Sequence, residues 1–238
     1  MAGELTRPRR VELAKVCHMN RCCLILFVCV AGAAAMPGCQ LGALIGGMAE
    51  SYRETSTRTV EAQYDDFVNK SFAVLVAVDR GVQGNHPNIV PRFLSRFNDR
   101  LLGEANLGAS GVVPAAAMLD YQLSNPDWPA KSYGQIADEL GVDRLIVVDI
   151  YEYRLQEPGN SYLWDGVAAA RVGVVEADGF FPGDYAFSQE VRVGFPDVEG
   201  LGPIDLSEDL VSAALEKRLT DRVTWLFYEH EEPYYPDY

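Results

Sequence analysis

Downstream of the first 70 residues, the apolar positions follow strand and helix periods in turn. FAVLVAV (72–78) and RLIVVDIYEYRLQ (144–156) are continuous β-prone runs, which are typical of strands covered on both faces. LWDGVAAARVGVVEA (163–177) and AFSQEVRVGF (186–195) alternate apolar with polar or small positions, which predicts two half-buried antiparallel neighbours. With a short strand at 111–114, the pattern predicts a sheet of about five strands.

Three segments have the helical period instead. The first, NHPNIVPRFLSRFNDRLLG (85–103), places Pro91 in its first turn and ends at a glycine. The second begins at Ser132, which forms a capping-box arrangement with Gln135. The third, SEDLVSAALEKRLTDRVTWLFY (207–228), has a serine N-cap, two acidic residues in its first turn and one apolar face. The predicted fold is α/β (α+β), a mixed sheet of about five strands with three helices in the order βαβαβββα.

The first 48 residues have a different pattern. CCLILFVCVAGAAA (22–35) is an apolar run that is too short for a comfortable bilayer span of about 20 residues and suits the core of an export signal. Basic residues precede it, including Lys15 and Arg21, as in the positive flank of such signals. An uncleaved membrane helix from about 22 to 48 is the alternative interpretation.

MPGC (36–39) resembles the lipobox of bacterial lipoproteins, in which a cysteine is lipidated and becomes the first residue of the mature protein. The resemblance implies a signal peptide over 1–38, cleavage between Gly38 and Cys39, and lipid on Cys39. Pro37 departs from the small residue that the family usually has at this position.

All five cysteines lie within the first 39 residues. Four of them would leave with the signal peptide and Cys39 would carry lipid, so that no disulfide framework remains. Gln40 follows it, and the resemblance to lipoproteins implies that a residue other than aspartate there directs the protein to the outer membrane, facing the periplasm. Met19 also opens a compact signal of ordinary length, which would make residues 1–18 a misassigned start.

The predicted mature chain is strongly acidic, with 15 Lys and Arg against 32 Asp and Glu and a formal charge of −17. Such a chain repels phosphate backbones and anionic lipid surfaces, which argues against nucleic acid as a partner. Its attachment to a membrane would therefore depend on the lipid at Cys39 and not on electrostatics.

The mature chain divides into three predicted parts. Residues 39–71 form a lipidated tether, because they pass from a small, glycine-spaced apolar patch to a polar stretch with no sustained apolar face. Residues 72–228 form the α/β domain. Residues 229–238, EHEEPYYPDY, form a solvated acidic tail rich in Tyr and Pro.

Two segments carry a likeness to known periplasmic domains. FAVLVAV is the opening strand, and YGQIADELGVDRLIVVDIYEYRL (133–155) joins a helix, a glycine, an aspartate and a long strand that leads into an antiparallel hairpin. This order resembles the domain shared by the TolB amino-terminal domain, the CsgG lipoproteins and the LpoB-type activators of penicillin-binding proteins, over about residues 72–228. The resemblance implies a tethered envelope protein that acts through protein contacts.

The sequence contains no recognisable catalytic motif. His86 and His230 fall in a predicted loop and in the tail, with no two-histidine metal spacing and no serine nucleophile motif. GVQGN (81–85) lacks both the dinucleotide fingerprint and a Walker lysine, and it is predicted to be a loop. Asp149, in a central apolar strand, is either a hydrogen-bonded structural carboxylate or part of a concealed site. We therefore expect no enzyme activity, no cofactor and no metal.

Two classes of function remain. The first is a lipid-anchored interaction or assembly module for an unidentified periplasmic or envelope protein. The second is a CsgG-like oligomeric secretion or transport component, which needs hairpins of about 9–11 residues per strand to cross a bilayer. The connections at 157–162 and 178–185 are too short to hold such hairpins, so the sequence favours the interaction module.

The predicted partner contact lies in LSNPDWPAKSY (123–133), at Trp128 and Tyr133. Two prolines pre-set the backbone of this segment, and no strand or helix period places Trp128 in the core. A rigid loop that displays an aromatic side chain is typical of a binding hot spot. The alternative is that Trp128 folds back over the domain as a lid on the core.

Overall fold

The computed structural model describes residues 57–233, which contain a five-stranded sheet and a separate two-stranded ribbon. In chain order the strands are β1 (Thr57–Val60), β2 (Ser71–Val78), β3 (Gly111–Val112), β4 (Arg144–Arg154), β5 (Gly166–Glu176), β6 (Phe187–Phe195) and β7 (His230–Pro233). The spatial order in the large sheet is β3-β2-β4-β5-β6. β2 is parallel to β3 and β4, whereas β5 is antiparallel to β4 and β6. The mixed five-stranded sheet is as predicted.

The helices of the described part are α1 (Arg80–Asn85), α2 (Ile89–Leu102), α3 (Ala115–Ser124), α4 (Tyr133–Leu140) and α5 (Glu208–Thr224). The three predicted helices correspond to α2, α4 and α5. The capping box of α4 is present, because Ser132 Oγ accepts from the Gln135 N–H at 3.3 Å and Gln135 Oε1 accepts from the Ser132 N–H at 3.0 Å. At α5, Ser207 Oγ accepts from the Leu210 N–H at 3.3 Å, as its predicted N-cap role requires.

The other two helices differ from the sequence prediction. α1 covers GVQGN, so the predicted loop is wrong there. The Asp79 carboxylate accepts from the Gly81 N–H at 2.7 Å and caps the helix, which offsets the low helix propensity of its two glycines. α3 buries only Met118, so no apolar stripe in its sequence signals a helix.

The hydrophobic core covers both faces of the central strands. α2 packs on β2, and α5 packs on β5 and β6. Residues 145–148 of β4 are all buried, as expected for a central strand. β5 is more buried than the predicted half-buried strand, since residues 167–170 are all buried as well. The ring of Tyr185 covers the other face of β5 at Gly173, where an added Cβ would lie 2.4 Å from the ring.

The folded part is longer at both ends than the predicted domain. β1 lies in the predicted tether and pairs antiparallel with β7, which lies in the predicted tail. Phe67 is fully buried in the core, and Glu232 is buried between Arg58 and Arg222. β1 and β7 are polar in sequence and only four residues long, so that their pairing leaves no hydrophobic period to detect. The predicted signal peptide and the first part of the tether lie outside the described residues.

A buried arginine joins three segments at the start of β4. The Arg144 side chain is 3% exposed and forms ion pairs with Asp66, at 2.5 Å, and with Asp178. It also donates to the main-chain oxygen of Asp66 at 3.1 Å and to that of Asp143 at 2.8 Å. Nearby, Tyr64 Oη donates to Glu176 at 2.9 Å. These bonds fix the segment that leads into β2 against the sheet.

A buried glutamate joins two helices elsewhere in the domain. The Glu216 side chain, in α5, is 3% exposed and forms ion pairs with Arg92 at 2.6 Å and Arg96 at 3.0 Å, both in α2. The Ser212 hydroxyl also donates to it at 3.3 Å. The two arginines are each a little under half exposed, so they neutralise Glu216 while keeping contact with water.

Candidate partner-binding surface

Two connections run side by side at the end of the domain where β4 finishes. One joins β4 to β5 over residues 155–165, and the other joins β6 to α5 over 196–207. Trp164 holds them together, because its N–H donates to Leu201 O at 2.8 Å and its indole Nε1–H donates to Leu206 O at 2.9 Å. The backbones approach so closely that a Cβ on Gly202 would lie 2.4 Å from Tyr162 O. We call these two connections the loop surface.

Large apolar side chains of the loop surface point into solvent. Ile204 is 100% exposed and Tyr162 is 83% exposed, and Leu163 and Val198 are also exposed. Single exposed apolar residues are normal on a protein, but several on connections that are fixed to each other indicate a contact site. The loop surface therefore offers rigid apolar anchors of the kind that binding interfaces use.

An open cavity of about 680 Å³ lies beside the loop surface. Its lining combines aromatic and amide side chains with carboxylates, and includes Asn85, His86, Tyr153, Gln156, Trp164 and Glu208. His86 packs edge-on against the Tyr153 ring, with 4.8 Å between centroids. Burial and the charge of Arg92 lower the pKa of His86 by more than the charges of Glu208 and Glu216 raise it, which favours the neutral imidazole. The polar lining of the cavity suits a polar group of a molecule that also makes an apolar contact with the loop surface.

The connection between β5 and β6, residues 177–186, displays a second apolar feature. Phe180 is fully exposed and Phe181 is 76% exposed. The backbone that carries them is fixed to α4: the Tyr185 ring stacks on Tyr133 at 5.3 Å, and an added Cβ on Gly134 would lie 2.3 Å from Pro182 O. Sequence analysis missed both this feature and the loop surface, because isolated apolar residues in loops carry no period.

The structure places the sequence-predicted contact residues beside the core. Trp128 begins a short 3₁₀ turn, Trp128–Ala130, and Tyr133 begins α4. Both side chains are half-buried and pack against the hydrophobic core, and part of each ring stays accessible. Their role in partner contact stays a prediction. Gly38 and Cys39 lie outside the described residues.

Asp149 is the residue that the sequence raised as part of a concealed site. Asp149 is half-buried and lies opposite Arg171 of β5, but no hydrogen bond to its carboxylate is made within residues 57–233. In the same part of the chain, no group of three or more His, Cys, Asp or Glu side chains could hold a metal ion. Over that range there is also no helix with the length and apolarity needed to cross a membrane.

Comparisons with known proteins give distant structural likenesses. No protein-family model matches the sequence, and no curated protein matches it. The PelC dodecamer from Paraburkholderia phytofirmans is 12% identical, with 74% of this chain and 99% of that chain covered and a TM-score of 0.41. Lipoprotein GNA1162 from Neisseria meningitidis is 15% identical, with 64% and 96% covered and a TM-score of 0.38. The LpoB C-terminal domain from Salmonella enterica is 13% identical, with 55% and 87% covered and a TM-score of 0.30.

Proposed function

We propose that this protein is a lipid-anchored envelope protein whose α/β domain binds another envelope protein through the loop surface. The observation that carries the proposal is the exposure of Ile204 and Tyr162 on two connections that Trp164 fixes to each other. A rigid apolar contact loses little conformational entropy on binding, so more of its contact energy appears as affinity.

The proposed anchor is the lipid on Cys39, which would hold the domain at the outer membrane, facing the periplasm. The sequence supports it through the apolar run and MPGC motif that precede the domain. Cys39→Ser should abolish metabolic labelling of the protein by a palmitate analogue, because the acylated thiol is lost. Labelling that is unchanged in Cys39→Ser would contradict the anchor. This test is independent of the loop surface.

The partner contact can be tested by cross-linking in intact envelopes followed by mass spectrometry. Tyr162→Ser combined with Ile204→Ser should remove the main cross-linked protein and leave the free energy of unfolding within about 0.5 kcal/mol, because both side chains are exposed. Leu123→Ser is the matched control, since Leu123 is 81% exposed on α3 and lies outside the loop surface. A cross-linked product that both variants retain equally would contradict the proposed contact.

The proposed role is binding without catalysis, so we expect no cofactor or metal requirement for partner capture. Cross-linking yield should therefore be unchanged when a metal chelator is added to the envelopes. Trp128 and Tyr133 stay candidate secondary contacts, because the exposed parts of their rings could extend an interface.

A further inference from the structure

The two outer edges of the five-stranded sheet differ greatly in length. β3 contributes only two residues at one edge, whereas β6 contributes nine at the other. Among residues 57–233, no segment other than β5 makes a backbone–backbone hydrogen bond to β6, although the Arg218 side chain donates to Gly194 O at 2.6 Å. A long edge strand with unpaired backbone groups can accept a further strand.

The middle of β6 borders an open cleft. An open cleft of about 370 Å³ borders residues 189–192, and its far wall includes Arg58 and Val60 of β1. The side chains of Glu190 and Arg192 are both more than half exposed. The charged side chains on both sides of Val191 are therefore accessible from solvent, whereas the side chain of Val191 is buried.

In the sequence of β6, FSQEVRVGF, the residues next to Val191 and those at the two ends are arranged symmetrically about Val191, whereas Gln189 and Val193 differ in chemistry. Glu190 and Arg192 flank the centre with opposite charges, and Phe187 and Phe195 stand at the two ends. If two copies of β6 pair antiparallel with their Val191 residues opposite each other, each Glu190 lies opposite an Arg192 of the second copy. Opposite charges in directly paired positions stabilise an antiparallel pair.

The charges also select the register. Within one chain Glu190 already accepts from Arg171 at 3.2 Å, and Arg192 pairs with Glu152 at 2.5 Å. Pairing about Val191 would extend both rows of alternating charge into the second copy. A slip of two residues would place Glu190 opposite Glu190, or Arg192 opposite Arg192, and like charges in that position are destabilising.

We infer that β6 is a self-association edge. Two copies of the chain pair antiparallel through β6 about a two-fold axis at Val191, which joins their sheets into one of ten strands. The interface is isologous, as in most homodimers. This inference depends neither on the lipid anchor nor on the loop surface, so their failure leaves it unaffected.

Charge reversal tests the pairing. Analytical ultracentrifugation of the purified chain carrying Cys39→Ser, which removes association through lipid, should show a reversible dimer. Glu190→Lys alone and Arg192→Glu alone should each weaken the dimer on the order of tenfold, because each places like charges opposite each other twice by symmetry. The double variant restores both opposite-charge pairs and should recover dimerisation. Glu199→Lys is the matched control, because it makes the same charge change in an exposed loop.

Cysteine cross-linking tests the register directly. In a background whose five native cysteines are serine, Val191→Cys should form a disulfide dimer under mild oxidation, because only a residue at the axis meets its own copy. Gln189→Cys is the control, since it would lie opposite Val193 of the second copy. Circular dichroism confirms that each variant is folded. A chain that stays monomeric, a double charge variant that stays weakened, or equal cross-linking at 189 and 191 would overturn the inference.

Discussion

Arg144 and Glu216 are two of the buried charged side chains of the domain, and their sites are mirror images in charge. Arg144 lies between the half-exposed carboxylates of Asp66 and Asp178. Glu216 lies between the guanidinium groups of two arginines of α2 that are also nearly half exposed. In both sites the partners keep contact with water, which limits the desolvation cost to the single buried group.

The two sites differ in what else the buried group binds. Arg144 donates to the main-chain oxygen of Asp66, which is remote in sequence, and to that of the adjacent Asp143. Glu216 joins helices that already pack through apolar side chains. Glu216 therefore affects the stability of the fold mainly because its buried charge must be neutralised. Arg144 affects it through the backbone that it fixes.

The largest effect is expected when Glu216 loses both partners. Arg92→Ala combined with Arg96→Ala leaves a buried carboxylate without a counter-charge and should lower the free energy of unfolding by ~3 kcal/mol at neutral pH. Urea unfolding measures this loss in the free energy of unfolding.

A third substitution separates the charge from the helix contact. Adding Glu216→Leu to the double variant removes the unpaired carboxylate and should recover most of the lost stability, since an apolar side chain of similar size can fill the site. A triple variant as unstable as the double variant would show that the two arginines stabilise the domain in another way.

A smaller loss of stability is expected when Arg144 is replaced. Arg144→Met should lower the free energy of unfolding by ~2 kcal/mol, because Asp66 O loses its bond from the guanidinium while the half-exposed carboxylates remain hydrated. Asp143 O also loses a bond from Arg144 but keeps the one from the Ala177 N–H. Limited proteolysis near residues 61–70 should become faster, because this segment loses its attachment. Arg171→Met is the matched control, since its exposed ion pair with Glu190 contributes little. Equal effects of both substitutions would contradict the role of the backbone bonds.

The smallest effect concerns one partner of Arg144. Hydrogen bonds from Lys70 and Arg144 lower the pKa of Asp178 from 3.8 to about 2. The carboxylate therefore stabilises the fold above about pH 4, and this contribution is lost as the pH falls toward 2. Because the side chain is nearly half exposed, the contribution is at most ~1 kcal/mol.

Asp178→Asn should accordingly flatten the acid limb of the stability curve between about pH 4 and pH 2. Thermal unfolding across this range measures the change. Asp184→Asn, in the same connection but without an ion pair to any other residue of 57–233, should leave the curve unchanged. If the acid limb of Asp178→Asn matched that of the unaltered chain, the pairing with Lys70 and Arg144 would contribute nothing measurable.

Most of the fold follows from periods in the sequence, and the exceptions have physical causes. α2 is predictable because Phe93, Phe97 and Leu101 recur on one face, whereas α3 buries a single side chain. The sequence of α5 predicts that Glu216 is a surface residue, because the burial of a charge can be recognised only when its partners on another helix are known.

The candidate site was predicted less well than the fold. The prolines around Trp128 identify its segment, but the half-burial of its ring depends on packing that the segment alone does not encode. Tyr162 and Ile204 lie about forty residues apart and become one surface only through the backbone bonds made by Trp164. A site of this kind can be recognised only from the tertiary structure.

The ribbon of β1 and β7 also has a mechanical consequence. A load applied to the chain upstream of Thr57, as the proposed anchor would apply, reaches β1 before it reaches the large sheet. The four paired positions of the ribbon, together with the ion pair between Arg58 and Glu232, would yield first. Separation of β1 from β7 would lengthen the tether by a few residues while the large sheet stays intact. The ribbon would thus open at a lower force than the large sheet and limit the tension that reaches the sheet.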